Sequence, residues 1–340
     1  MIITRRSILS AIGAAGAVGA IASPAVLRAQ TARTKLVVGT QDIGLQETVK
    51  ASGVLEGAPF DLQWATLPGP AAQLSGLYSK AIDVGLMGDT SLIIEQARAS
   101  GDWTEENAPL QIVAGWRNPD PAFPPIITAV RNSAKIETLA DLRGKRWAFN
   151  FGGFNYLQYI ASRIRAGLKV EDIQPVQLVD TNAAAAAFNS GRADVFSGGL
   201  GPVKSSIDKG DARILLRSDD LDIPSLTVFT ARGEVIRDEA KSAALGDFLG
   251  RVGRHWHWYK NNIPAVEAIF RERLKQTPER AQYSAGNGFS RFYPLDDALV
   301  KREQKLAEIL FEAGDIQRRI DVSVEFSRKF NAATSAASNV

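Results

Sequence analysis

Lys35-Leu36-Val37-Val38-Gly39, followed by Thr40-Gln41-Asp42 and the spaced apolar positions Ile43, Leu45, Val49 and Leu55, is the stretch on which the fold reading turns. An apolar run ending in small polar residues reads as a buried strand, and the spacing after it reads as a helix over 43–56. The same strand, turn and helix phrase then recurs. Residues 60–64 alternate as a strand, Leu67-Pro68-Gly69-Pro70 turns the chain, and Pro70 opens a helix over 71–80. A strand over 81–86, the turn Gly88-Asp89-Thr90-Ser91, a helix over 91–100 and a strand over 111–115 complete the set.

The proline-dense stretch 119–125 reads as a surface loop, and 126–130 as a connecting strand. The phrase then restarts: helix 137–142, strand 146–149, helix 154–166, strand 175–179, helix 182–190, then strands 193–196 and 213–216. Residues 226–230 read as a second connector. Beyond 237 the pattern is helical, over 239–254, 256–261, 264–272, 296–313 and 321–332. Two α/β units follow, the second inserted into the first: lobe 1 over 34–127 and 231–335, lobe 2 over 128–230. In open α/β sheets ligands sit beyond the carboxyl ends of the strands, which is where the polar turns fall.

The N-terminus carries its own signal. Thr4-Arg5-Arg6-Ser7-Ile8-Leu9, the apolar run 11–22 and Ser23-Pro24-Ala25-Val26-Leu27-Arg28-Ala29 have the layout of an export signal over 1–29. The apolar run is short of the ~20 residues that a membrane span needs. Arg5-Arg6 resembles the twin-arginine type, with the general export route as the alternative. Cleavage is expected after Ala29, with Ala25 as the second choice, placing the mature protein in the periplasm. Arg5, Arg6 and Arg28 account for the whole excess of 40 basic over 37 acidic residues, so the mature chain is neutral. No basic stripe with interleaved aromatics remains, and nucleic-acid binding is disfavoured. The absence of cysteine removes disulfides, thiolate metal sites and cysteine nucleophiles together.

The turns carry the candidate ligand contacts. Gln41 and Asp42, Pro68 and Gly69, Gly88, Asp89, Thr90 and Ser91, and Gly152, Gly153, Phe154 and Asn155 follow strands and open helices. Helix starts present unpaired N–H groups and partial positive charge, so they hold anions without a formal cation. Taken singly, Asp89, Thr90, Ser91 and Asn155 read equally well as plain N-caps. Trp116, Gly198 and Gly199, also at strand ends, join the set. Gly152-Gly153 lacks the third glycine of a nucleotide fingerprint. His255 and His257 in Arg254-His255-Trp256-His257-Trp258-Tyr259 lie two apart, so on a helix they face differently. This segment is expected to pack the helical part against a lobe. No nucleophile elbow or metalloprotease motif occurs, and Asp219-Asp220 and Asp296-Asp297 read as turns or caps. No catalytic residue, metal or cofactor is expected.

The chain resembles the sulfonate, taurine and nitrate group of ABC-importer solute-binding proteins, and aliphatic sulfonate-binding proteins most. The matching runs include Val38-Gly39-Thr40-Gln41, Leu67-Pro68-Gly69-Pro70, Ala81-Ile82-Asp83-Val84-Gly85 through Gly88-Asp89, and the run 139–149. Ala166-Gly167-Leu168, Asp172-Ile173-Gln174-Pro175 and the run 186–195 continue it, so the likeness covers roughly 35–235. It implies an α/β, two-lobed periplasmic binding protein (type II-like) with two crossovers and a ligand cleft between the lobes. It further implies a monomer that delivers a small organic anion (a sulfonate, sulfate ester or aromatic acid) to an ABC permease at the inner membrane. A thiamine precursor or other heteroaromatic ligand is the alternative, with an enzyme related to thiamine-pyrimidine synthesis behind it. The family's hydroxyl-rich loop is here Gly152-Gly153-Phe154-Asn155-Tyr156, and its Trp-Asp-Pro segment reads Ser197-Gly198-Gly199-Leu200-Gly201-Pro202. These departures point to a roomier pocket for a bulkier, aromatic ligand, with Phe154 and Tyr156 as its aromatic surface.

Overall fold

A computed structural model describes residues 33–151 and 153–338. The export-signal segment 1–29 and the candidate Gly152 lie outside the described residues.

The opening phrase folds as a strand followed by a helix. β1 (Thr34–Thr40) leads to α1 (Ile43–Ala51), whose N-cap Asp42 accepts from the Leu45 N–H at 3.1 Å. The chain continues through β2 (Phe60–Thr66), α2 (Gly69–Tyr78), β3 (Val84–Gly88), α3 (Thr90–Arg98) and β4 (Leu110–Arg117). It crosses into β5 (Ile127–Arg131), β6 (Arg146–Asn150), α4 (Gly153–Arg165), β7 (Gln174–Leu178), α5 (Thr181–Asn189), β8 (Val195–Gly198), α6 (Lys204–Asp208) and β9 (Ala212–Arg217). It returns through β10 (Thr227–Arg232) and α7 (Gly233–Arg237) to α8 (Glu239–Asn261), α9 (Ile263–Glu272) and α10 (Pro278–Gly288). β11 (Arg291–Tyr293), α11 (Asp297–Glu312) and α12 (Asn331–Ser338) finish it.

Two sheets result, in the orders β11-β4-β10-β3-β1-β2 and β7-β6-β8-β5-β9. The two connecting segments do more than cross between lobes. β10 inserts antiparallel between β3 and β4, and β5 inserts antiparallel between β8 and β9. β11 pairs antiparallel with β4, and the pairs β1–β2, β1–β3, β6–β7 and β6–β8 are parallel, so the polar carboxyl ends of those strands point the same way within each lobe. Matching carboxylates tie each sheet at its other end. Asp83 accepts from the Val37 N–H and from Arg232 and Lys241, while Asp194 accepts from the Arg146 N–H and guanidinium. Both acids are held below the usual carboxylate range: burial opposes this most at Asp83, where the Lys241, Val37 and Arg232 bonds together outweigh it, and at Asp194 the Arg146 side-chain bond leads over burial.

The C-terminal part departs from expectation. The helices expected over 239–254 and 256–261 are one 23-residue helix, α8. No breaker falls at residue 255, and Leu249, Val252 and Trp256 keep one face buried throughout. α10 was not expected, because its buried stripe is only Ala281 and Ala285. Thr277 and Pro278 nonetheless mark its start, the Thr277 hydroxyl accepting from the Arg280 N–H. The helix expected over 321–332 is two 3-10 turns ahead of α12, since Asp321 turns back to accept from the Ser323 N–H and Phe326 bridges to Ile112 of β4. The expected helix over 137–142 is a 3-10 turn whose Thr138 and Asp141 form a capping box. No helix among the described residues is long and apolar enough to cross a membrane.

Candidate functional site

The carboxyl ends of both sheets face a common cleft, and the ring of Phe154 divides it. On one side lies a polar chamber of about 560 Å³, on the other an aromatic chamber of about 240 Å³; Phe154 and Pro125 line both. Phe154 comes from α4 in lobe 2 yet seats directly on β3 of lobe 1. A Cβ on Gly88 would stand 2.4 Å from its Cδ1, so only glycine allows this contact.

In the polar chamber three helix starts meet. Gly69 and Gly153 open α2 and α4 with φ of +71° and +63°, a backbone state that glycine reaches without strain. No side chain caps α2, because Pro68 stands at its N-cap. A Cβ on Gly153 would lie 3.8 Å from both Pro70 Cγ and Ser91 Oγ, so the starts of α2, α3 and α4 converge from opposite lobes. Ser91 is 4% exposed and its hydroxyl has no partner. Asn155 Nδ2 donates to Asn150 Oδ1 at 2.9 Å and Thr181 Oγ1 at 2.7 Å, leaving its Oδ1 unpartnered. Arg98 lies over the ring of Phe151 at 5.4 Å and is the chamber's cation. The uncapped start of α2, the free Ser91 hydroxyl and the Arg98 guanidinium can meet an anionic group there, one that sits clear of the Glu95 and Asp180 carboxylates that also line the chamber.

The aromatic chamber is built differently. Trp116 at the end of β4, Trp256 and Tyr259 on α8 and Phe270 on α9 form its walls with Phe154 and Phe123. Trp116 and Trp256 lie with ring centroids 5.5 Å apart, and both pack on Phe292. Four titratable groups face the space, of which the Tyr259 phenol is kept neutral by burial and by the nearby Asp42 carboxylate. The Arg117 guanidinium is held by Asp219 through bonds of 2.8 and 3.1 Å and by the Pro224 carbonyl. His255, fully buried and bonded to Thr48 Oγ1 at 2.9 Å, has its pKa pushed down to about 3 by burial, so it is neutral. Asp42 is exposed as a residue, but its carboxylate borders the aromatic walls. Desolvation there pushes its pKa up against bonds from the Leu45 and Gly44 N–H groups. Ser225, where the chain returns to lobe 1, is 2% exposed at φ +52° with an unpartnered hydroxyl.

The sequence candidates therefore separate. Gln41, Pro68, Gly69, Gly88, Ser91, Gly153, Phe154, Asn155 and Gly199 line the polar chamber, and Asp42, Trp116 and Phe154 the aromatic one. Thr90 and Asp89 are buried and line neither. Asp89 turns inward, accepting from the Thr90 N–H at 2.8 Å and the Leu226 N–H at 2.6 Å. Its pKa is raised by burial, as is that of Glu303 beside it. Gly198 closes β8 against Phe196 and lines neither chamber. Tyr156, expected beside the ligand, points away and donates to Asp315 while its ring packs on Phe149 and Phe151. The run 254–259 packs the helical part and also walls the cleft: His255, Trp256 and Tyr259, with Arg117 and Ser225, are contacts that sequence reasoning missed. Among the described residues no group of three His, Asp or Glu side chains is placed to hold a metal ion.

The family model described as NMT1/THI5 like matches residues 76–249, just over half of the 340-residue chain. The chain belongs to the NMT1/THI5-like family. The matched span of this NMT1/THI5-like protein holds Gly88, Ser91 and Gly153 to Asn155, and so most of the polar chamber, together with Trp116 of the aromatic one. An aliphatic sulfonates-binding protein of Escherichia coli (strain K12) is 24% identical over 267 residues, 77% of each chain. Among solved structures, the alkanesulfonate-binding protein of Xanthomonas axonopodis pv. citri bound to MOPS superposes with a TM-score of 0.72 at 20% identity, covering 86% of this chain and 98% of that one. A desulfurization enzyme superposes with a TM-score of 0.57 at 14% identity over 89% of this chain and 99% of its own. These likenesses establish for the NMT1/THI5-like chain the two-lobed periplasmic-binding-protein fold with its inter-lobe cleft. Fold alone does not choose between binding and chemistry.

Proposed function

We propose that this chain is the exported solute-binding component of an ABC importer, which captures a small organic anion in the cleft and carries out no chemistry on it. The observation that carries the reading is the convergence of the α2, α3 and α4 starts on the unpartnered, buried Ser91 hydroxyl. Such a site supplies donors from both lobes at once. An anion bound there favours the closed arrangement through contacts that only the closed arrangement makes. The names of the Escherichia coli and Xanthomonas relatives support a sulfonate as the anion. In this reading the lobes part just before β5 and just before β10, because β5 belongs to the second sheet and β10 to the first. Residues 227–230 thus join lobe 1, and not lobe 2 as the sequence boundaries 34–127, 128–230 and 231–335 have it. The segment 1–29 directs the protein to the periplasm, and a monomer delivers the ligand to the permease.

Binding without catalysis is supported by what faces the cleft. Its only histidine is buried and neutral, and its arginine at β4 is occupied by Asp219. A thermal-shift screen of alkyl and aryl sulfonates, sulfate esters, aryl carboxylates and thiamine precursors tests the reading. An anion at 100 times its Kd stabilises the fold by ~2.7 kcal/mol. The expected result is a rise in Tm with aryl or ring-bearing sulfonates above ethanesulfonate and taurine. A rise confined to thiamine precursors, or ligand turnover during the incubation, contradicts it.

A further inference from the structure

Resting on the anion reading of the polar chamber, we propose that the aromatic chamber is a cation-accepting subsite for a ring-bearing, protonated amine at the other end of the same ligand. Its charges decide this. Of the four titratable groups on its walls, Arg117 is neutralised by its two bonds to Asp219, and the buried His255 and Tyr259 carry no charge at neutral pH. Asp42 is left as the one net charge, met by the Leu45 and Gly44 N–H groups at the start of α1 but by no cation among the described residues.

A neutral aryl tail still gains from the aromatic walls, but it takes water from that carboxylate and gives nothing back, so it binds less tightly than a ring carrying a protonated nitrogen. A protonated ring nitrogen would meet Asp42 on one side and the faces of Trp116, Trp256 and Phe154 on the others, where aromatic rings attract cations. The buried, unpartnered Ser225 Oγ offers an acceptor for its N–H. Because Phe154 borders both spaces, a short chain passing its edge links the ammonium to the anion held at Ser91 and Gly153.

The test compares two ligands of one shape, piperidinium propanesulfonate and cyclohexyl propanesulfonate, by calorimetric titration at pH 7. Wild type is expected to bind the piperidinium compound about tenfold more tightly, the scale of a partly desolvated cation contact. In Asp42→Asn the ratio is expected to fall to about one. Asparagine caps a helix as well as aspartate does, so α1 keeps its start, and an unliganded Tm near wild type verifies this. Equal affinities in wild type, or a preference that survives Asp42→Asn, overturn the subsite and leave the anion reading standing. Failure of both compounds to bind wild type overturns the anion reading, and the subsite with it.

Discussion

The two chambers of the cleft share Phe154 but are made in opposite ways. The polar one is built around backbone, with glycine-opened helix starts and a hydroxyl without a partner, and its other walls come from loop and helix side chains such as Leu74, Arg98 and Asp180. The aromatic one is assembled from the core itself, since Trp116 and Trp256 belong to the buried cluster that holds α8 on the first sheet. One chamber is therefore free to change with little cost to folding, whereas the other is tied to it. That difference predicts that substitutions at the helix starts alter binding with little loss of stability, whereas substitutions of the aromatic walls alter both.

Substitutions should separate the two ends by their effect on stability. Trp256→Ala removes a side chain that is 3% exposed and packed on Trp116 and Phe292, and is expected to cost about 3–5 kcal/mol in urea unfolding. A loss below ~1 kcal/mol would show that the aromatic wall is a lining and not core.

The next effect is a pH dependence at the same wall. Burial holds the folded-state pKa of His255 at about 3, below the ordinary value of 6.5. The unfolded chain therefore takes up this proton first. The stability that goes with the neutral ring is whole above pH 6.5 and is lost as pH falls from there toward 3. In His255→Gln that loss is absent, so the wild-type advantage should shrink by up to ~1.4 kcal/mol per pH unit between pH 6 and 4. Parallel stability curves would place the ring in water.

Ser91→Ala is the smallest change to the fold and the sharpest to the other chamber. Its hydroxyl has no partner to lose, so stability should stay within ~0.5 kcal/mol. Affinity for a sulfonate should fall about tenfold, the worth of one hydrogen bond to a charged group. Unchanged affinity would remove Ser91 from the site.

The polar chamber was largely legible in the sequence because its parts are local. Each is a turn between a strand and a helix, and Pro68-Gly69-Pro70 or Gly88 through Ser91 announces itself in a few residues. What could not be read was which way a capping side chain turns. Asp89 faces inward because the Leu226 N–H, well over a hundred residues away, takes its second oxygen. The aromatic chamber was mostly illegible for the same reason on a larger scale: residues 42, 116, 225, 255 and 270 meet only once both crossovers and the C-terminal helices are in place. Trp116 was singled out at its strand end, but its partner Trp256 looked like packing, and it is packing as well. The missed α10 shows a weaker signal still, since two alanines cannot outline a helix face.

The central claim is that an anion sits where α2, α3 and α4 begin. Amide hydrogen exchange with and without a saturating aryl sulfonate tests it directly. The account predicts slowed exchange at the helix starts 69–72, 91–93 and 153–156, in both lobes together. Saturable binding that leaves all three starts unprotected would contradict it.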